Sequence, residues 1–234
     1  MIASSTFEVI PAPGTFPRLP SLYLGPFDEQ ELDEQPPVTA ENIQFFPIGD
    51  IEFYTTSDSA TIVAALEMLP HTTFWGIFKE EALTPSSFVG TVSLSDRVVS
   101  THGLQIPSTP VYEFGTWIMS PAERQKGLGS LARLATMAYA YEIDAAHAFA
   151  AWTSAKNVGA QRSLAKVGFR CMGVSPHVGF PDDADGQEWM LAAPDVQVAL
   201  RGRILEEQVQ LLHEGWEENG RLREGLRVQK QHAA

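Results

Sequence analysis

One junction constrains this chain more than any other. The run YEFGTWIMS, residues 112–120, has the apolar, aromatic character of a strand, and Gly115 within it marks a bulge or a close approach. It turns at Pro121 into Arg124-Gln125-Lys126-Gly127-Leu128-Gly129-Ser130. A helical pattern over residues 127–146 follows, with Leu128, Leu131, Leu134, Ala135 and Ala138 on one apolar face. The first turn of a helix leaves backbone N–H groups unpaired, and its dipole favours negative charge there. Glycine has no Cβ, so a phosphate can approach the backbone closely. Arg124 and Lys126 add positive charge at the same place. A strand, a basic glycine turn and a helix in this order read as a cradle for a pyrophosphate.

The flanking pattern gives the fold class. Residues 59–69 have helical spacing, with Ser57 or Ser59 as N-cap. TFWGIFKE (73–80) and SFVGTVSLSD (87–96) read as strands joined by a turn at Thr84-Pro85-Ser86. After the long helix come a strand at 146–154, a short helix at 158–168 capped by Gly168, and closing strands at 169–174 and 188–193. This order predicts a mixed α/β domain. Residues 1–44 are rich in proline and acids and read as an arm or a strand pair; residues 45–194 form the domain; residues 195–234 read as an amphipathic helical extension that docks on the domain or forms a homodimer.

Charge singles out the same region. The net charge is -13, which argues against nucleic acid as a partner. Residues 124–170 depart from it, with seven basic residues against Glu142 and Asp144. A basic island in an acidic chain raises the local concentration of anions. No apolar run is long enough for a bilayer, and MIASSTFEVIPAPG lacks the layout of a secretory signal. The expectation is a soluble, cytoplasmic protein with no membrane partner. A single cysteine, Cys171, excludes an internal disulfide, and as a strand residue it is expected to be a buried small hydrophobe. The six histidines have no metal-ligand spacing, and the acidic loop at Asp182, Asp183 and Asp185 reads as a solvated turn, so no metal is expected.

Three ligands carry a pyrophosphate of the right kind. A mononucleotide loop needs GxxxxGK followed by Ser or Thr, which the chain lacks. A dinucleotide fingerprint matches Gly127-Leu128-Gly129-Ser130-Leu131-Ala132, but it expects a carboxylate at the end of the next strand, where Trp152-Thr153-Ser154 stands instead. Coenzyme A remains, and its extra 3′-phosphate suits Arg and Lys.

These residues carry a family resemblance. The segment resembles the acyl-CoA-binding motif of the GNAT superfamily of N-acetyltransferases: Arg or Gln, two free positions, Gly, one free position, then Gly or Ala. Arg124, Gly127 and Gly129 fill it. A second family block is met at Asn157, Ala160, Lys166, Gly168 and Phe169. EFGTWI before the cradle and SLAKVGF after it are similar to the branch that holds the ribosomal-protein N-terminal (RimJ/RimL-like) acetyltransferases. The resemblance implies the acyl-CoA N-acyltransferase fold, a mixed, mostly antiparallel central sheet with flanking helices.

It also implies a reaction, the transfer of an acetyl group from acetyl-CoA to a primary amine of a small molecule or a peptide N-terminus. Trp117, Ile118 and Met119 would contact the pantetheine arm, with the Ile118 N–H as donor to the developing oxyanion. Arg124, Gln125, Lys126, Gly127, Leu128, Gly129 and Ser130 would hold the phosphates. Asn157 would reach the pantetheine or cap the helix after it, or both, and Ser163 would reach the same cofactor or face solvent. Glu113 is the candidate base, acting through a water; its bland alternative is a solvated strand carboxylate or an Arg partner. Many members carry a tyrosine seven residues after the asparagine, as acid for the leaving thiolate; here that position is Leu164. A thiol leaves near neutral pH without much help, its pKa being about 8.5. A catalytically weak acyl-CoA sensor on the same fold is the alternative. Trp75, Trp152 and Trp189 are expected in the core.

Overall fold

Strand-forming sequence dominates the middle of the chain, and it assembles into one eight-stranded sheet. The computed structural model describes residue 2 and residues 7–9, 22–39, 48–69, 72–95, 111–144, 148–174 and 186–192. In chain order these form β1 (Phe7–Val9), β2 (Leu22–Gly25), α1 (Glu29–Asp33), α2 (Ile48–Thr56), α3 (Ser59–Met68), β3 (Thr72–Phe78), β4 (Phe88–Ser95) and β5 (Val111–Ile118). Then come α4 (Leu128–Asp144), β6 (Ala148–Ser154), α5 (Val158–Val167), β7 (Arg170–Val174) and β8 (Gly186–Ala192). The strands lie in the order β1-β2-β3-β4-β5-β6-β8-β7. Every neighbouring pair is antiparallel except β5 and β6. A parallel pair needs a crossover, and α4 supplies it. The mixed, mostly antiparallel sheet with flanking helices is the fold that the sequence predicts.

Residues paired across strands share a face. One face presents Trp75, Val92, Leu94, Tyr112, Phe114 and Phe149 to the apolar stripe of α4, where Leu131, Leu134, Ala135 and Ala138 are buried. Phe114 and Phe149 stack with centroids 5.2 Å apart. The other face is covered at the β3–β4 side by α1 and α3, which bury Leu32, Ile62, Val63 and Leu66 against Phe74, Phe78 and Phe88. The cap of α3 is Asp58 rather than Ser57 or Ser59: its carboxylate accepts the Thr61 N–H at 2.7 Å, a charge-assisted bond that a serine hydroxyl does not match. The stretch read as an arm or a strand pair contributes β1, β2 and α1; β1 pairs with β2, and β2 with β3. The extension at 195–234 lies outside the described residues, as does the acidic loop at 182–185.

One expectation changes, and one pair of alternatives resolves. β8 inserts between β6 and β7, so β7 forms the end of the sheet, and all five of its residues, Cys171 included, are exposed. Gly115 is a close approach and not a bulge: the β4–β5 register is unbroken, and an added Cβ would collide with the Ser93 hydroxyl.

Candidate active site

The site begins where the sheet parts. β5 and β6 pair from Val111–Ala148 to Phe114–Ala151 and no further, whereas β5 stays on β4 as far as Ile118–Gly90. The Met119 N–H donates to the Val89 carbonyl at 2.9 Å. Alternate residues of an antiparallel strand bond to the same neighbour. Residues 115, 117 and 119 therefore address β4, and Thr116 and Ile118 turn their backbone groups into the gap left by β6. The buried Thr116 Oγ1 has no hydrogen-bond partner among the described residues. The gap opens into a cavity of about 400 Å³ that runs through the sheet.

The glycine turn lies beside the gap. A 3₁₀ turn at Pro121–Glu123 leads through Gln125 and Gly127, both at positive φ, into α4. The first helical bond of α4 runs from the Leu131 N–H to the Gly127 carbonyl at 3.0 Å, so the N–H groups of Leu128, Gly129 and Ser130 precede the ladder. Gly129 is pressed onto β5: a Cβ there would stand 3.3 Å from Thr116 Cγ2 and 3.7 Å from Ile118 Cγ1. The cradle and the exposed edge of β5 thus form one continuous row of donors.

The basic residues divide their work. Arg124 Nε donates to the Ile118 carbonyl at 2.9 Å and its Nη2 to the Met119 carbonyl at 3.3 Å; partial burial lowers its pKa. It clamps the end of β5. Lys126 Nζ lies 2.9 Å from Glu123 Oε2, and Lys79 Nζ lies 3.2 Å from Glu123 Oε1. The hydrogen bond from Lys126, with help from Lys79, holds the Glu123 carboxyl below its ordinary range. Exposed pairs of this kind are worth about 0–1 kcal/mol, so Lys126 is held only weakly.

On the α5 side, Asn157 Oδ1 accepts the Ala160 N–H at 3.0 Å, which makes it the N-cap of α5, and Asn157 also lines the cavity. Ser163 does not face open solvent. Its Oγ lies 2.7 Å from Ser130 Oγ and accepts from Arg133 Nη1 at 2.9 Å. Arg133 is 6% exposed and lines the cavity, its Nε has no partner among the described residues, and burial lowers its pKa to about 10, still cationic at neutral pH. Leu164 lines the cavity at the position of the missing tyrosine.

On the face of the sheet away from α4 the cavity is lined by Tyr54, Ser93, Glu113, Trp117 and Trp152. The Tyr54 and Trp117 rings meet edge to face at 5.3 Å. Trp152 is half-buried there and not a core residue like Trp75 and Trp189. Glu188 of β8 shares this face. It is 2% exposed, and burial, with the Glu113 charge beside it, raises its pKa to about 7.

The structure brings Glu113, Trp117, Met119 and Asn157 to the cavity wall, turns the Ile118 edge into the gap, and gathers Arg124 to Ser130 at the turn beside it. The Met119 side chain belongs to the core with Phe88, and its N–H is spent on Val89. Arg133 and Glu188 are missing from the sequence reading as site residues. Arg133 has a visible signal, a charge at the 130/133/134 spacing beside an apolar stripe; Glu188 has none beyond being a carboxylate in an apolar strand.

A parted mixed sheet with a glycine-led helix N-terminus beside the gap is the architecture of an acyltransferase. The comparison with known families is direct: residues 31–170 match the acetyltransferase (GNAT) domain. The chain belongs to the GNAT acetyltransferase family, in keeping with the RimJ/RimL-like branch that its motifs resemble. No curated protein matches it in sequence. Solved structures share the fold. Mycobacterium smegmatis RimJ in complex with CoA-disulfide has a TM-score of 0.55 at 16% identity, over 85% of this chain and 96% of that one. A crystal structure of a T. thermophilus acetyltransferase gives 0.53 at 18% identity, over 76% and 91% of the two chains. A GNAT-family acetyltransferase from Bacillus anthracis gives 0.50 at 15% identity, over 81% and 99%. Among the described residues, no helix is long and apolar enough to cross a membrane, and no three metal-ligating side chains come together.

Proposed function

We propose that this chain transfers the acetyl group of acetyl-CoA directly to a primary amine of a small molecule or a peptide N-terminus. The observation that carries the reading is the continuous donor row from the Ile118 edge of β5 to the first amides of α4, beside a gap that joins both faces of the sheet. It fits a long carrier with a diphosphate at one end. The Leu128, Gly129 and Ser130 amides take the diphosphate, with Lys126 and Gln125 at its flank; Thr116, Trp117, Ile118 and Asn157 take the pantetheine arm. That RimJ is known in complex with a CoA disulfide supports the choice of carrier. The transferase unit is assigned to residues 45–194, joined by β2 and α1 from the stretch before it.

When bound, the thioester supplies the acetyl group. The chain's own part is placement and charge. Holding two reactants at near-attack distance lowers a barrier by roughly 7–11 kcal/mol. The Ile118 N–H, held by the Arg124 clamp on its own carbonyl, faces the position where negative charge develops on the acetyl oxygen. Glu113, on the acceptor side of the gap, takes a proton from the incoming ammonium, which has no lone pair until it loses one. The carboxylates of that face, Glu113 and Glu188, suit a cationic acceptor.

Calorimetry with acetyl-CoA and a thiol-release assay with peptides, polyamines, amino acids and aminoglycosides test this. Binding and amine-dependent thiol release are expected, both lost in Gly127→Glu/Gly129→Glu. No binding by the wild type, or binding unchanged in the double variant, would refute it.

A further inference from the structure

We infer that Glu188 is a positioning residue for proton transfer: it stands behind Glu113 as the carboxylate on which the acceptor's proton comes to rest. The inference rests on the acetyl-transfer reading of the cavity and extends it to a residue outside the cavity wall.

The sheet register brings the two groups together. Glu113 on β5 pairs with Ala150 on β6, and Glu188 on β8 pairs with Trp152 on β6. All four side chains leave the same face of the sheet. Neighbouring strands are about 4.8 Å apart, so β5 and β8 stand roughly 10 Å from each other; the two-residue offset along β6 adds about 7 Å of stagger, and two glutamates can lean together on the diagonal over the strand between. Ala150 offers only a methyl group there. The Trp152 indole is folded over Gly186, where an added Cβ would collide with it, and Met190, opposite Ala150, packs against that methyl group, so the two carboxyls approach each other between these side chains.

The surroundings make Glu188 the tighter holder. It is 2% exposed and its Oε1 has no hydrogen-bond partner among the described residues. A buried carboxylate without a donor, next to a second negative charge, is stabilised by taking up a proton. Its described neighbours on that face are Glu113 from β5, Trp152 and Ala150 from β6, Met190 on its own strand, and Gly173 and Arg170 from β7. Arg170 stands opposite Met190, two residues along from Glu188, and is exposed to screening water. Burial and Glu113 together raise the Glu188 pKa to about 7.

The proton balance closes. The acceptor arrives as an ammonium ion. One N–H bond breaks, the electron pair stays on nitrogen, and the proton passes by way of Glu113 to Glu188, which returns Glu113 to its carboxylate form. The C–N bond then forms as the C–S bond breaks, and the second amine proton goes to the departing thiolate. Glu188 releases its proton to water before the next turnover. One proton is released for each ammonium acetylated.

The test uses the full chain labelled with carbon-13 at the glutamate carboxyls. NMR titration should show one carboxyl with a midpoint near pH 7, absent in Glu188→Gln and moved to lower pH in Glu113→Gln. In the thiol-release assay the wild-type kcat should rise with pH through the same midpoint. Glu188→Gln should lose that limb and about a hundredfold in kcat, with acetyl-CoA affinity unchanged. A neutral-range signal that survives Glu188→Gln or ignores Glu113→Gln overturns the inference. So does a Glu188→Gln pH profile that superimposes on the wild type. A wild type that shows the NMR signal but releases no thiol with any amine overturns acetyl transfer, and the use of the pair with it, while the pair itself stands.

Discussion

Arg124 Nε donates to the Ile118 carbonyl at 2.9 Å, across the bend that joins β5 to the glycine turn. The same strand end carries the N–H that faces the gap, so Arg124 fixes the position of the group proposed above as the oxyanion donor. Arg124→Ala should lower kcat about tenfold, the value of one charge-assisted hydrogen bond, while acetyl-CoA affinity changes less than about threefold. Calorimetry with steady-state kinetics separates the two. If Arg124 acted chiefly on a phosphate, the loss would fall on affinity and spare kcat.

Asn157 has two polar ends, one of them engaged in the cap of α5. Its Oδ1 caps α5 through the Ala160 N–H, which leaves the amide nitrogen for the cavity. Asn157→Asp keeps the cap and removes that donor, so it should leave thermal stability unchanged and weaken acetyl-CoA binding. Asn157→Ala should in addition cost about 1 kcal/mol of stability. Equal binding by the Asp variant and the wild type would assign Asn157 to the helix alone.

Ser163 is the partner that Arg133 Nη1 uses in its buried position. Ser163→Ala should destabilise the fold by about 1–3 kcal/mol, because a buried donor loses its acceptor. Arg133→Met removes the charge instead and fills the same volume, so it should be neutral or stabilising. Urea unfolding of the two variants and the wild type decides; the reverse order would mean that the guanidinium has an acceptor elsewhere.

Glu188 ties stability to pH. Its ordinary value of 4.5 is raised to about 7 on folding, so the folded state holds this proton more tightly than the unfolded one. The stability that it contributes is complete below the unfolded value and is lost as pH rises to the folded one. The shift corresponds to about 3 kcal/mol between pH 5 and pH 8. Urea unfolding at the two pH values should show this difference between wild type and Glu188→Gln. Parallel behaviour of the two proteins would mean that Glu188 titrates as an ordinary surface carboxyl.

What the sequence disclosed was local, and what it hid depended on strand order. The glycine turn and the helix start after it were legible because glycine, a preceding strand and a helical stripe act within about twenty residues of one another. The Asn157 cap and the Gly168 stop were legible for the same reason. Glu188 was not, because its burial comes from β8 inserting between β6 and β7, a placement that no spacing within QEWMLA encodes. The same insertion puts Cys171 on an exposed edge, against its ordinary preference. Arg133 counted only as one more charge in a basic stretch; its burial depends on α5 bringing Ser163 to it. The Asp58 cap was misplaced by one residue, within the usual fraying of helix ends.

Because β5 and β6 separate after Phe114 and Ala151, one cavity is lined from both faces of the sheet. On the acetyl-transfer reading proposed above, donor and acceptor then approach from separate faces, one beside α4 and α5 and the other beside Tyr54 and Trp152. Neither has to leave before the second enters, and no residue need carry the acyl group in between. Initial-velocity plots should give intersecting lines, with free CoA competing against the thioester and not against the amine.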